Sequence, residues 1–199
     1  MTIDPRRVAV LALHWQVNVI EPLGFFGPML AEPVAASGVV DRAVQFHTVA
    51  RASGVPVIFT RFTVPEGEGA LVRNTGFMRA VGEAQESFRP DAAGAQLIAP
   101  MREQADEVID NQKLSGLAGS NVAEHLAQRG IDTLFLTGVA TNLTVEQTAR
   151  HATELGLEAY TISDCVAAAA EEIHAASLAN LGLATAGCLT AVEAVALLG

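Results

Sequence analysis

Gly138-Val139-Ala140-Thr141-Asn142-Leu143-Thr144-Val145 is the stretch on which the fold of this chain turns. It follows a strongly apolar run, Thr133-Leu134-Phe135-Leu136-Thr137. It also opens a segment, Asn142 to Gly156, in which Val145, Thr148, Ala149, Ala152 and Leu155 recur at helical spacing. A strand that breaks into a glycine turn and then a helix N-terminus is where α/β folds present reactive groups. The strand ends at a crevice, and the first free amides of the helix point into it.

Working outward, strand and helix signals alternate. Val8–Leu13 is a continuous apolar run of the kind buried on both faces of a parallel sheet. Further strands are expected at Val55–Thr60, Glu107–Asp110, Ile131–Thr137, Glu158–Ile162 and Ala186–Thr190. Helices are expected over Gly38–Ser53 (Val40, Ala43, Val44, His47 and Ala50 inward), from a Ser120 cap to Arg129, over Asn142–Gly156 and Glu171–Leu183, and at the C-terminus. Gly54 and Gly130 stop two of them. Glu21–Ala36, rich in Gly, Pro and Phe, reads as irregular. Residues 64–95 read as a loop-rich insertion with a short helix near Thr75–Ala84. The pattern predicts one domain, residues 1–199, built as a three-layer α/β/α sandwich on a six-stranded, mainly parallel sheet.

Composition narrows the function. The chain is 50% apolar and 17% charged, with a mean hydropathy of +0.33, which favours apolar surface buried between subunits of a homo-oligomer, a dimer or tetramer. Net charge is −10, and the longest basic run is Arg6-Arg7, which argues against nucleic acid. No apolar run approaches the roughly 20 residues of a membrane span. The N-terminus shows no signal-peptide pattern, and two cysteines make no disulfide framework, so a cytoplasmic location is expected. Neither a G-x-G-x-x-G nor a G-K-[ST] occurs and the five histidines lack ligand spacing, so no cofactor and no metal are expected. The expected partner is a small molecule.

Three groups fall after strands: His14-Trp15-Gln16, Lys113, and Thr144 in the quoted stretch. Together these segments resemble the isochorismatase-like cysteine hydrolases. That family has an Asp-x-Gln after the first strand, where this chain has His14-Trp15-Gln16. It has a lysine after the third strand, matched here to Lys113. Its nucleophile loop reads Gly-Val-x-Thr-x-x-Cys-Val, with Thr144 in place of the cysteine. Arg51-Ala52-Ser53-Gly54-Val55-Pro56-Val57-Ile58-Phe59-Thr60-Arg61 resembles its second helix–strand unit.

The resemblance implies a Rossmann-like hydrolase for a small amide, ester or vinyl ether, with His14, Lys113 and Thr144 in one cleft and a cis peptide at Val139-Ala140. Metal-binding members carry Asp-x-His where this chain has Arg61-Phe62-Thr63, so the resemblance implies no metal. Three chemistries follow. Thr144 attacks with His14 as base, kept neutral by Lys113. Alternatively, His14 as imidazolium protonates a vinyl ether. The third is a non-catalytic small-molecule binder on the same scaffold.

Trp15, Phe25, Phe26, Val139 and Ala140 are the candidate substrate contacts. For Trp15 a place in the core competes, and for the two phenylalanines loop packing does. Cys165 and Cys188 read as buried and inert, His47, His125 and His151 as packing or surface residues, and His174 as structural.

Overall fold

The computed structural model describes residues 2–198. Its sheet is built around β1 (Val8–Leu13), whose six residues are all buried. Successive side chains of a strand point to opposite faces. Val8, Val10 and Ala12 accordingly enter one core, and Ala9, Leu11 and Leu13 the other. β2 (Val57–Phe62), β3 (Glu107–Asn111), β4 (Thr133–Val139), β5 (Glu158–Ala167) and β6 (Gly187–Leu189) complete a parallel sheet of order β3-β2-β1-β4-β5-β6.

The first core is covered by α2 (Gly27–Ser37), α3 (Val39–Ala52) and the C-terminal α9 (Ala191–Leu197), through Leu30, Val34, Ala43, Phe46, Ala50 and Ala194. The second is covered by α6 (Val122–Gln128), α7 (Glu146–Glu154) and α8 (Glu171–Ala184), through Val122, Leu126, Ala149, Ala152 and Leu181. Short helices α1 (Val17–Ile20), α4 (Gly76–Glu83) and α5 (Ala99–Arg102) lie in the connections. No helix among the described residues is long and apolar enough to cross a membrane.

β1 and β4 are adjacent, and the strand order reverses between them, so their carboxyl ends flank the crevice of the fold. At that edge Gly138 has φ +142°, and a Cβ there would lie 2.3 Å from the Leu13 carbonyl oxygen. Only glycine lets the two strands approach so closely.

Several expected boundaries are corrected. Glu21–Ala36 is not irregular throughout, because α2 fills most of it. Pro28 sits in the first turn, where no N–H is needed, and burial of Leu30 and Val34 holds the helix despite Pro33 in its interior. Gly38, at φ +65°, separates α2 from α3. β5 runs to Ala167, five residues beyond its expected end. Ser163 and Asp164 interrupt the apolar pattern, but their polar groups are satisfied: Ser163 Oγ donates to the Leu189 carbonyl at 3.2 Å, and Asp164 Oδ1 accepts from Ala191 N at 2.8 Å. Leu155 is 49% exposed, not inward, because it follows the last turn of α7. The segment before that helix, Thr141–Val145, is a π turn rather than α-helix.

Residues 64–95 fold over the carboxyl edge of the sheet. Phe62, Val64, Met78, Val81 and Phe88 form a third apolar cluster, with Phe26, Leu71 and Phe77 packed on it. Thr75 Oγ1 accepts from Met78 N at 3.1 Å and caps α4 within this lid.

Candidate active site

His14 follows β1 directly, 5% exposed, with φ +53°. A histidine in this left-handed region is held there by its surroundings. Its backbone N–H donates to the Thr60 carbonyl at 3.1 Å. Two residues on, buried Gln16 ties the turn down: its Nε2 donates to the carbonyls of Phe62 (3.0 Å) and Ala95 (2.8 Å), and its Oε1 accepts from Phe62 N at 2.7 Å. Gln16 thus fixes backbone here.

The His14 ring contacts Asn111, the last residue of β3, through Nε2 and Oδ1 at 3.1 Å. The amide of Asn111 has one orientation, because its Nδ2 donates to the carbonyls of Lys113 (2.7 Å) and Ser115 (2.9 Å). Its Oδ1 can only accept, so Nε2 of His14 carries the proton and Nδ1 keeps its lone pair. Nδ1 has no hydrogen-bond partner among the described residues. Burial pushes the His14 pKa down to about 4, against a smaller upward pull from the Asn111 bond. The ring is therefore neutral near pH 7, with a basic nitrogen free.

Thr144 lies in the π turn after β4, 2% exposed, and its hydroxyl has no hydrogen-bond partner among the described residues. His14 and Thr144 line the same pocket, with Val139, Ala140, Leu143 and Leu114. The Val139-Ala140 peptide is cis. Aromatic walls come from Phe26, Phe62, Phe77 and Phe88. Phe26 stacks on Phe77 at 5.2 Å, and Phe62 meets the His14 ring edge-on at 6.1 Å. Among the described residues no Asp, Glu, Lys or Arg lines the pocket.

Three expected contacts fall elsewhere. Lys113 does not line this pocket and is absent from the groups that set the His14 pKa. β3 ends at Asn111, and the turn stabilised by the Asn111 amide carries Lys113 outward, where its Cγ packs over Gly119 and it lines an outer groove. The side chain that meets His14 from β3 is therefore an amide, not an ammonium. Asn111 was missed, although strand period places it on the face of Ile109, which packs into the second core.

Trp15 is fully buried in the first core, its Nε1 donating to Thr137 Oγ1 at 3.4 Å and its ring edge-on to His47. The alternation of the chain past β1 turns it away from His14. Phe25 is 36% exposed and packs on Phe26 and Phe88 as a buttress behind the pocket.

The remaining candidates are structural in their contacts. His174 Nδ1 pairs with Thr141 Oγ1 at 2.9 Å, steadying the π turn. His151 pairs with Ser115 Oγ at 2.9 Å. Cys165 is fully buried within β5, with its thiol pushed strongly up by burial and by Asp164. Among the described residues no group of three His, Cys, Asp or Glu side chains is placed to hold a metal. The Arg61-Phe62-Thr63 segment does not fit a cation either, because the Arg61 guanidinium occupies it, paired with both oxygens of Asp110 at 2.8 and 3.0 Å.

Comparison with known proteins agrees with this fold. The family model for the isochorismatase domain matches residues 8–193. The chain belongs to the isochorismatase family. It is similar to the uncharacterized isochorismatase family protein YecD of Escherichia coli O157:H7, 32% identical over 91% of this chain and 90% of that protein. It is 28% identical to Nicotinamidase 3 of Arabidopsis thaliana, over 73% of this chain and 72% of that protein. The crystal structure of a cysteine hydrolase from Pseudomonas syringae pv. phaseolicola 1448A shares the fold, with a TM-score of 0.86, 23% identity, and coverage of 100% of this chain and 95% of that one. Set in this isochorismatase-like fold, His14 and Thr144 line the crevice, with Asn111 buried behind the His14 ring.

Proposed function

We propose that this isochorismatase-like protein hydrolyses a small ester or amide whose acyl part is apolar, using His14 as general base toward water and Thr144 as a hydrogen-bond donor to the carbonyl oxygen. One observation carries the reading: a neutral imidazole with a free Nδ1 lone pair and an unpartnered buried hydroxyl line the same uncharged pocket. An unpartnered buried hydroxyl is costly unless a ligand completes it. In the reaction, water adds to the carbonyl carbon as Nδ1 takes its proton. The bond to the leaving oxygen or nitrogen then breaks, and that proton passes to the leaving atom. Thr144 is not assigned as nucleophile, because no base holds its hydroxyl proton. The vinyl-ether route is set aside too: burial pushes the His14 pKa down to about 4, so the ring is neutral rather than imidazolium at pH 7.

A screen of small esters and amides with phenyl or short alkyl acyl groups tests the proposal. Turnover should survive iodoacetamide, since Cys165 and Cys188 both lie outside the pocket. Absence of turnover across the panel, together with saturable binding of the same compounds, would favour a binder without catalysis. The observation that supports this second reading is that His14 and Thr144 are not hydrogen-bonded to each other.

The surface supports self-association as part of the same proposal. Ile173 and Leu183 on α8 and Val192 on α9 are 44%, 89% and 78% exposed. Light scattering should give a multiple of 20.8 kDa, and a monomeric mass at micromolar concentration would refute it.

A further inference from the structure

Lys113 is the only lysine in the chain. Among the described residues it is also the one basic side chain with no hydrogen bond and no ion pair; even the arginines without a carboxylate partner, Arg42, Arg79 and Arg102, donate to backbone carbonyls. It is half-buried, with its stem over Gly119. With its stem packed and no counter-charge seated on it, the ammonium is available to an anionic ligand that enters the groove.

The groove that Lys113 lines runs between α7 and residues 72–78 of the lid, and it shares Phe77, Leu114 and Leu143 with the pocket. One apolar threshold therefore separates the unpartnered Thr144 hydroxyl from the unpaired ammonium. Of the other titratable groups in the groove, all but Glu154 are engaged. Glu146 and Arg150 neutralise each other at 2.9 Å, and Glu146 also accepts from Ser177 Oγ at 2.7 Å. His151 is occupied by Ser115. Glu154 lies eight residues along α7 from Glu146, about 12 Å away at 1.5 Å per residue.

We propose that Lys113 docks a carboxylate of the substrate, so that the substrate is an apolar acyl group joined through its ester or amide bond to a short, carboxylate-bearing leaving group: an acylated hydroxy acid or amino acid. This rests on the pocket being a hydrolytic site. The acyl part lies against the wall formed by Phe26, Phe62, Phe77 and Phe88, the carbonyl reaches His14 and Thr144, and the leaving group crosses Leu114 and Leu143. Water adds to the carbonyl carbon, the bond to the leaving atom breaks, and the products are an apolar acid and a hydroxy or amino acid. Lys113 selects the substrate and takes no part in proton transfer.

The test compares phenylacetylglycolate with its neutral analogue phenylacetylglycolamide, in the wild type, Lys113→Gln and Lys113→Arg. The wild type should prefer the anion about tenfold in kcat/KM, through KM, as one charge-assisted bond allows. Lys113→Gln should bring that ratio toward one, and Lys113→Arg should keep it. A merely structural role would lower both substrates alike and leave the ratio unchanged. A wild-type ratio of one or less, or a ratio that survives Lys113→Gln, overturns the proposal. If neither ester turns over, calorimetry with N-phenylacetylglycine decides the matter. Binding lost in Lys113→Gln upholds the anion site while the hydrolytic reading fails, and no binding, or binding indifferent to Lys113, overturns it.

Discussion

Lowering the pH from 7 to 4.5 should remove about 5 kcal/mol of folding stability, because two histidines are buried in neutral form. His14 has its pKa pushed down to about 4 and His47 to about 3, in both cases chiefly by burial, from an ordinary value of 6.5. His47 is 0% exposed on α3, edge-on to Trp15 and Phe59, with Nε2 on Thr137 Oγ1 at 2.9 Å and Nδ1 without a partner. Above pH 6.5 neither the folded nor the unfolded chain protonates them appreciably. Between 6.5 and the folded values the unfolded chain takes up protons that the fold refuses, so stability falls with falling pH. At pH 4.5 each histidine sits two units below its unfolded pKa, worth about 2.5 kcal/mol apiece at 1.36 kcal/mol per unit. Urea unfolding at the two pH values measures the sum. His47→Leu removes one of the two groups and should roughly halve the drop, whatever it costs at pH 7. A wild-type drop below about 1 kcal/mol, or an undiminished drop in His47→Leu, would show that these rings are not held neutral.

The other large effect is on turnover. His14→Phe fills the same space without a base and should lower kcat by about 10³, within the range of general-base catalysis. Thr144→Val should cost less, about tenfold to a hundredfold, since it removes one donor to the carbonyl oxygen. The pH profile separates a base from a merely packed ring. In the wild type kcat/KM should be flat from pH 8 down to about 5 and fall with unit slope only near pH 4. Asn111→Asp places a carboxylate beside the Nε2 proton, which favours the imidazolium, so the acid limb should move up by one to three units. A limb that stays in place in Asn111→Asp, or a His14→Phe variant that keeps wild-type turnover, would remove His14 from the mechanism.

The reach of the sequence differs from element to element. β1 is a continuous apolar run and β4 a strongly apolar one, and such runs become strands buried on both sides of a parallel sheet; both were legible. So was the position of His14 and Thr144 at strand ends, since the order of elements puts those ends at one edge. α2 was not legible, because two prolines and flanking glycines read as a breaker while the burial of Leu30 and Val34 lies outside any local window. The far half of β5 was hidden for the same reason: Ser163 and Asp164 are satisfied by partners 26 and 27 residues away.

At the site the division is sharper. The sequence by itself determined the isochorismatase fold, the glycine turn at Gly138 and the absence of a cysteine at residue 144, because these are properties of the pattern and of single positions. Only the tertiary structure decided that Asn111, and not Lys113, meets His14, because β3 ends at Asn111, two residues before Lys113, and the Asn111 amide turns the chain outward. Only the tertiary structure decided the state of His14. Its charge is governed by how much water and how many counter-charges surround it, and these come from β2, β3 and the lid, segments between about 45 and 100 residues away along the chain.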